Sequence, residues 1–260
     1  MTRALWWRLI WLGWAAISCH QLDSVAQTPE GEALTLLYHQ PLEVKEPSGL
    51  TLDPERKTLW AVGDNSDVYQ LDLRGGVLAR FRGVGADLEG IAFSPKDSTL
   101  WVADEADNSL IQLSRSGQRL ARHQLALRSE DNKGLEGICL DGQSRIFVLN
   151  EKKPGLFIAL APDLSIERRL TLTFARDYSD LAFEAQGGNF WVLSDQDQAL
   201  FLWSPEQGVL RTFLLPFSNG SMPSACPDRR WRPVRFLGRS RPEGSGAGMR
   251  SRRSGANLVA

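Results

Sequence analysis

The chain has 260 residues, 42% of them hydrophobic and 23% charged, the composition of an ordinary globular protein and not of a disordered one. Its net charge of −1 hides an asymmetry, because residues 221–260 hold nine Arg against Asp228 and Glu243, which leaves about −8 on residues 1–220. An acidic body lacks the clustered Lys and Arg that phosphate contacts need, which excludes a nucleic-acid-binding surface and favours cations as small partners.

Residues 1–19 read as an export signal. Arg3 and Arg8 precede a Trp-, Leu- and Ile-rich stretch that ends in Ala15-Ala16-Ile17-Ser18 before Cys19. The apolar run Leu9–Ile17 is short for a membrane span. Ala16-Ile17-Ser18-Cys19 resembles a bacterial lipobox, although it lacks the usual Leu at its first position, and this makes Cys19 a candidate lipidation site. A lipoprotein, an uncleaved signal anchor and a plainly cleaved signal remain open, and each places the domain outside the cytoplasm.

Residues 33–217 form one repeating domain. Residues 33–39 read as a strand without its own three partners. Then Pro47-Ser48-Gly49-Leu50, Leu88-Glu89-Gly90-Ile91, Leu135-Glu136-Gly137-Ile138 and Tyr178-Ser179-Asp180-Leu181 recur at spacings of 41, 47 and 43 residues. That is the period of a propeller blade. Each signature runs through a polar turn into an aromatic strand centred on Trp60, Trp101, Phe147 or Trp191, and two further short strands follow. The fold class is therefore all-β, a propeller of four-stranded antiparallel blades. Four blades are complete in the sequence, and residues 33–39 are expected to give the outer strand of a fifth.

Residues 218–260 break the pattern, since an Arg-, Ser-, Gly- and Pro-rich tail stands where a further Glu-Gly signature is due, and only Val234–Leu237 reads as a strand. The tail is expected to be disordered, or a frameshifted or recombined end, with the last blade incomplete. Of the cysteines, Cys139 in Gly137-Ile138-Cys139-Leu140 reads as a small buried hydrophobe, and no spacing indicates zinc or a disulfide framework.

In a propeller, each innermost strand begins on the face where the second strand ends. One mouth of the channel is therefore expected to gather Glu46, Ser48, Asp87, Glu89, Glu136, Asp177, Ser179 and Asp180 with Asp64, Asp104, Glu105, Glu151 and Asp195. Converging carboxylates must protonate, stay hydrated or bind a cation. A hard, oxygen-binding ion such as Ca²⁺ suits them best, whereas His20, His39 and His123 miss the repeated positions and argue against zinc or copper. The same acids can instead cap turns or act directly as acid and base. No nucleophilic triad, phosphate loop or HExxH is present.

Over residues 42–216 these motifs resemble the SdiA-regulated (YjiK-like) family of bacterial propellers. The resemblance implies a membrane-associated, periplasm-facing protein, shaped like NHL-repeat and calcium-dependent lactonase-like propellers and without an established activity. It also implies axial acidic positions at Glu89, Glu136 and Asp180, with Glu46 opening the first unit. Two functions compete. One is a membrane-tethered binding module for a small ligand or envelope protein; the other is a Ca²⁺-dependent hydrolase of lactones or phosphate esters.

Overall fold

The computed structural model describes residues 29–37, 42–63, 66–127, 134–151 and 154–216, and the backbone alone of 235–237 and 257–259. Cys19, Asp64, the export segment and most of the Arg-rich tail lie outside the described residues.

After a two-residue strand β1 (Glu32–Ala33), sixteen strands fall into four antiparallel meanders. Blade one is β2 (Pro47–Leu52), β3 (Thr58–Gly63), β4 (Asp67–Asp72) and β5 (Val77–Phe81), and blade two is β6 (Leu88–Phe93), β7 (Leu100–Asp104), β8 (Ser109–Leu113) and β9 (Arg119–Gln124). Blade three is β10 (Leu135–Leu140), β11 (Ile146–Asn150), β12 (Gly155–Leu160) and β13 (Ile166–Leu172). Blade four is β14 (Asp180–Glu184), β15 (Asn189–Ser194), β16 (Ala199–Ser204) and β17 (Gly208–Leu214). In the tail, β18 (Arg235–Leu237) pairs with β19 (Asn257–Val259), so the expected strand exists but partners within the tail.

The blades face one another through three apolar layers. Blades one and two enclose Trp60, Val62, Leu88, Ile91 and Ile111; blades two and three enclose Trp101, Leu110, Leu135, Val148 and Ile158. Blades three and four close over Phe147, Phe157, Phe190 and Trp203, where Phe190 meets Phe147 and Phe157 edge-on at centroid separations of 4.9 and 4.8 Å. The second-strand aromatics Trp60, Trp101 and Phe147 are thus inter-blade core. Trp60 is fully buried, whereas Trp191 is half-buried on the outer face of blade four.

The signature glycines set the spacing at the axis. A Cβ on Gly49 would sit 2.7 Å from the Glu89 carbonyl oxygen, one on Gly90 2.5 Å from that of Glu136, and one on Gly137 2.6 Å from the Leu181 nitrogen. Each inner strand therefore lies backbone to backbone with the next, which only a residue without a side chain permits. At the other end of the inner strands, Asp53, Asp141 and Glu184 cap the turns into the second strands. Asp53 accepts from Lys57 N, Thr58 N and Thr58 Oγ1; Asp141 accepts from Gln143 N, Arg145 N and Arg145 Nε. Glu184 accepts from Gln186 N and Gly187 N.

One expectation is corrected. Residues 33–39 are expected at the edge of a fifth blade, but of these Ala33 alone lies in β1, 34–37 form no strand and 38–39 lie outside the described residues; β1 pairs in parallel with β17, with Glu32 opposite Phe213, and extends blade four to five strands. The cause is apolar cover. Leu34 and Leu36 pack on Leu193, Leu200, Phe213 and Leu215, a face of blade four with no following blade among the described residues. Leu42 and Val44 likewise cover Ala61, Tyr69 and Leu71 on the outer face of blade one.

Candidate functional site

The acids expected at the mouth divide into those that build its loops and those that line it. Asp104 builds. It is fully buried and accepts from Ala86 N (3.0 Å), Asp87 N (3.0 Å), Ala106 N (3.3 Å) and Arg122 Nη2 (2.9 Å). These bonds fold the loop before β6 over the end of β7, and Glu105 N then donates to the Asp87 carbonyl at 2.8 Å. Asp177 plays the same part in blade four, where it accepts from the Ser194 and Ser179 hydroxyls and from Gln196 N. A buried carboxylate satisfied this way is a structural strut.

With that loop fixed, Asp87, Glu89 and Glu105 each bring a carboxylate oxygen within 4.8 Å of the other two, and all three side chains are half-buried. The distance matches an ion's needs. Two oxygens bound to Ca²⁺ at about 2.3–2.6 Å can stand at most roughly 5 Å apart. The three donors are all carboxylate oxygens, without imidazole or thiolate, which suits a hard cation over zinc or copper. Carbonyls and water would complete a shell of about six to eight oxygens.

Of the four acids assigned by resemblance, Glu89 alone belongs to this trio. Glu46 precedes β2 in a left-handed conformation (φ 46°), with its carbonyl accepting from Ser48 Oγ at 3.4 Å, and Glu136 is the second residue of β10, in register with Glu89. Asp180 occupies a different column. It pairs with Leu193 as Gly49 pairs with Val62 and Gly90 with Ala103, so it stands at the signature glycine's position. It has room for a side chain because no further blade presses on it among the described residues. The missed members of the trio were Asp87 and Glu105, which the sequence placed at the mouth but gave no means of choosing; the signal that selects them is the buried Asp104 between them.

The inner strands of all four blades also bound a cavity of about 150 Å³, with Leu50, Ile91, Ile138, Leu181 and Trp191 among its walls. Asp180 is the charged residue in that lining, and none of Asp87, Glu89 and Glu105 reaches it. Burial pushes the Asp180 carboxyl up to about 7, against the opposing hydrogen bond from Leu181 N. Asp195 is also raised, first by burial and then by Asp177, and the buried Cys139 thiol lies well above its ordinary range, mainly through burial.

A sequence profile described as SdiA-regulated matches residues 35–223. No curated protein matches the chain. Among solved structures, a streptogramin B lyase is 16% identical with a TM-score of 0.49, the match covering 70% of this chain and 58% of that one. Virginiamycin B lyase from Staphylococcus aureus is 16% identical with a TM-score of 0.47, covering 70% and 60%. U3-55K is 14% identical with a TM-score of 0.49, covering 70% and 54%. The chain thus spans little more than half the length of these proteins.

Proposed function

Because the chain belongs to the SdiA-regulated family of β-propellers, we propose that it is an extracytoplasmic binding module, tethered to the membrane by its N-terminus, with a Ca²⁺ site at one mouth of the propeller. The observation that carries this reading is the convergence of Asp87, Glu89 and Glu105 on a loop held by buried Asp104. Three carboxylates so close repel one another in the absence of a cation, and a bound Ca²⁺ would turn that repulsion into rigidity of the mouth. The ion would then fix the surface against which a small ligand or an envelope protein docks. The tether is supported by Arg3, Arg8, the apolar run after them and Cys19.

Thermal melting with Ca²⁺ and with chelator tests the site. At a Ca²⁺ concentration a hundredfold above the dissociation constant, binding to the folded form adds about 2.7 kcal/mol, or roughly 5–10 °C for a domain of this size. Asp87→Asn with Glu105→Gln should abolish the difference; an equal shift in that variant would refute the site.

A second reading, a Ca²⁺-dependent hydrolase, is favoured by one observation: a carboxyl near 7 in a cavity has the proton affinity of a general base. Against it, the cavity holding Asp180 includes none of the three acids, so an ion and this base would not face the same substrate atom. Metal-dependent turnover of a lactone, ester or phosphoester that is lost in both Glu89→Gln and Asp180→Asn would establish it over the binding reading.

A further inference from the structure

Each blade's outermost strand joins its neighbour through a bulge, and the residue that the bulge extrudes follows a pattern. Gln70 pairs with Ala79 and Leu71 with Val77, which leaves Leu78 without an opposite number; the same count leaves Leu120 in blade two and Leu210 in blade four. Their exposures are 57%, 49% and 37%. Leu73, Val77 and Val209 stand beside them, so six of the seven exposed large hydrophobics among the described residues gather at the turns entering the fourth strands. In blade three the extruded residue is Glu167, between Ile166 and Arg168.

These turns share one face of the propeller. In a four-stranded meander the first and third turns fall at the same end, and contacts between blades show that the ends coincide. Arg115 in the third turn of blade two reaches Glu55 in the first turn of blade one at 3.1 Å, and the Ser94 and Ser144 hydroxyls meet across the first turns of blades two and three at 3.1 Å. The carboxylate trio lies at the opposite mouth, where the second strands end.

The first described residues lie at this same face. Strand β1 runs parallel to β17, which starts at the third turn; Gly31 lies against the Thr212 carbonyl, and Arg211 pairs with Glu32 at 2.8 Å. Counting backwards along that register, Pro29, the first described residue, stands level with Leu210. Nine residues, 20–28, separate this point from Cys19. No chain of nine residues spans more than about 32 Å.

Resting on the tethered reading above, we infer that this face is the membrane-proximal one and that its extruded leucines seat on the surface of an anionic phospholipid bilayer, with the acidic mouth directed away. Leu73 adjoins Arg74 and Leu120 adjoins Arg119, which offers the interface an aliphatic side chain and a cation at two corners, while Arg211 beside Leu210 is already paired with Glu32. The turns of this face carry acids such as Glu55, Asp72 and Glu206 beside Arg74, Arg115, Arg119 and Arg168, whereas the opposite mouth gathers Asp87, Glu89, Glu105 and Asp195, so an anionic surface meets less repulsion on this face.

Amide hydrogen exchange on the full chain tests this, in vesicles of phosphatidylcholine with about one-third phosphatidylglycerol and, as reference, in detergent micelles. Peptides spanning 73–79, 116–121 and 206–211 should exchange roughly ten-fold more slowly in vesicles, as for a face that rests on lipid about 90% of the time. Peptides 85–89 and 104–107 at the mouth should not change. Leu78→Ser, Leu120→Ser and Leu210→Ser together should remove the protection while the chain still floats with the vesicles. Protection of both faces alike, or of the mouth alone, in a chain that floats would overturn the orientation and leave the tether standing. A chain that does not float with vesicles would overturn the tether, and this inference with it.

Discussion

Replacing Gly90 with Ala tests the radial packing at its tightest point. The added Cβ would lie 2.5 Å from the Glu136 carbonyl oxygen and 3.0 Å from the Ile138 nitrogen, both backbone atoms of the next blade's inner strand. No rotamer change relieves such a contact. Blades two and three must separate along a layer that contains Trp101, Leu135 and Ile138, and overpacking of this kind costs about 2–3 kcal/mol. Gly142→Ala is the matched control, since nothing lies within 4 Å of its Cβ. There the smaller unfolded-state entropy should leave the protein unchanged or more stable by up to about 1 kcal/mol. Urea unfolding with intact slopes measures both, and Gly90→Ala should also melt roughly 5–10 °C lower. If Gly90→Ala were no worse than Gly142→Ala, the inner strands would not be in backbone contact and the shared axis would be lost.

The remaining predictions concern single groups. Asp104→Ala removes the acceptor for Ala86 N, Asp87 N and Arg122, and should lower the urea-derived stability by about 2–4 kcal/mol, because buried donors are left unmatched. Asp180 is raised from 3.8 to about 7 in the folded state, so the folded protein holds that proton more tightly than the unfolded chain does. Its contribution is therefore greatest below about pH 4 and is lost between about pH 4 and 7, at up to about 1.4 kcal/mol per pH unit. Asp180→Asn should remove this decline, which urea titrations at the two ends of that range would show. Cys139, buried with a raised pKa, should resist iodoacetamide in the native protein and react on unfolding, as peptide mass mapping would reveal.

The propeller was legible because its signals are local. Alternating apolar residues, turn residues and one aromatic per second strand mark each blade within a residue or two, as with Leu88–Phe93 and Leu100–Asp104. The glycines were legible too, since close backbone approach leaves few other choices. The lining of the mouth was not, because it depends on side-chain partners chosen in three dimensions. Asp104 and Glu105 are adjacent acids, and only their placement separates a strut that accepts three backbone N–H groups from a half-buried member of the trio. Asp180 stands opposite Gly90 in the sequence repeat itself, and register keeps it in that glycine column; its place among the axial acids comes from the resemblance and not from the repeat. The path of β1 was also beyond local pattern. Residues 33–39 are a plausible strand anywhere, and parallel pairing with β17 follows from the uncovered apolar face of blade four.

Equilibrium dialysis with radioactive Ca²⁺ tests the central claim most directly. One ion should bind per wild-type chain, binding should vanish in Asp87→Asn and in Glu105→Gln, and Glu136→Gln and Asp180→Asn should leave it intact. Saturable binding that survives loss of Asp87 and Glu105 but disappears with Glu136 or Asp180 would contradict the account.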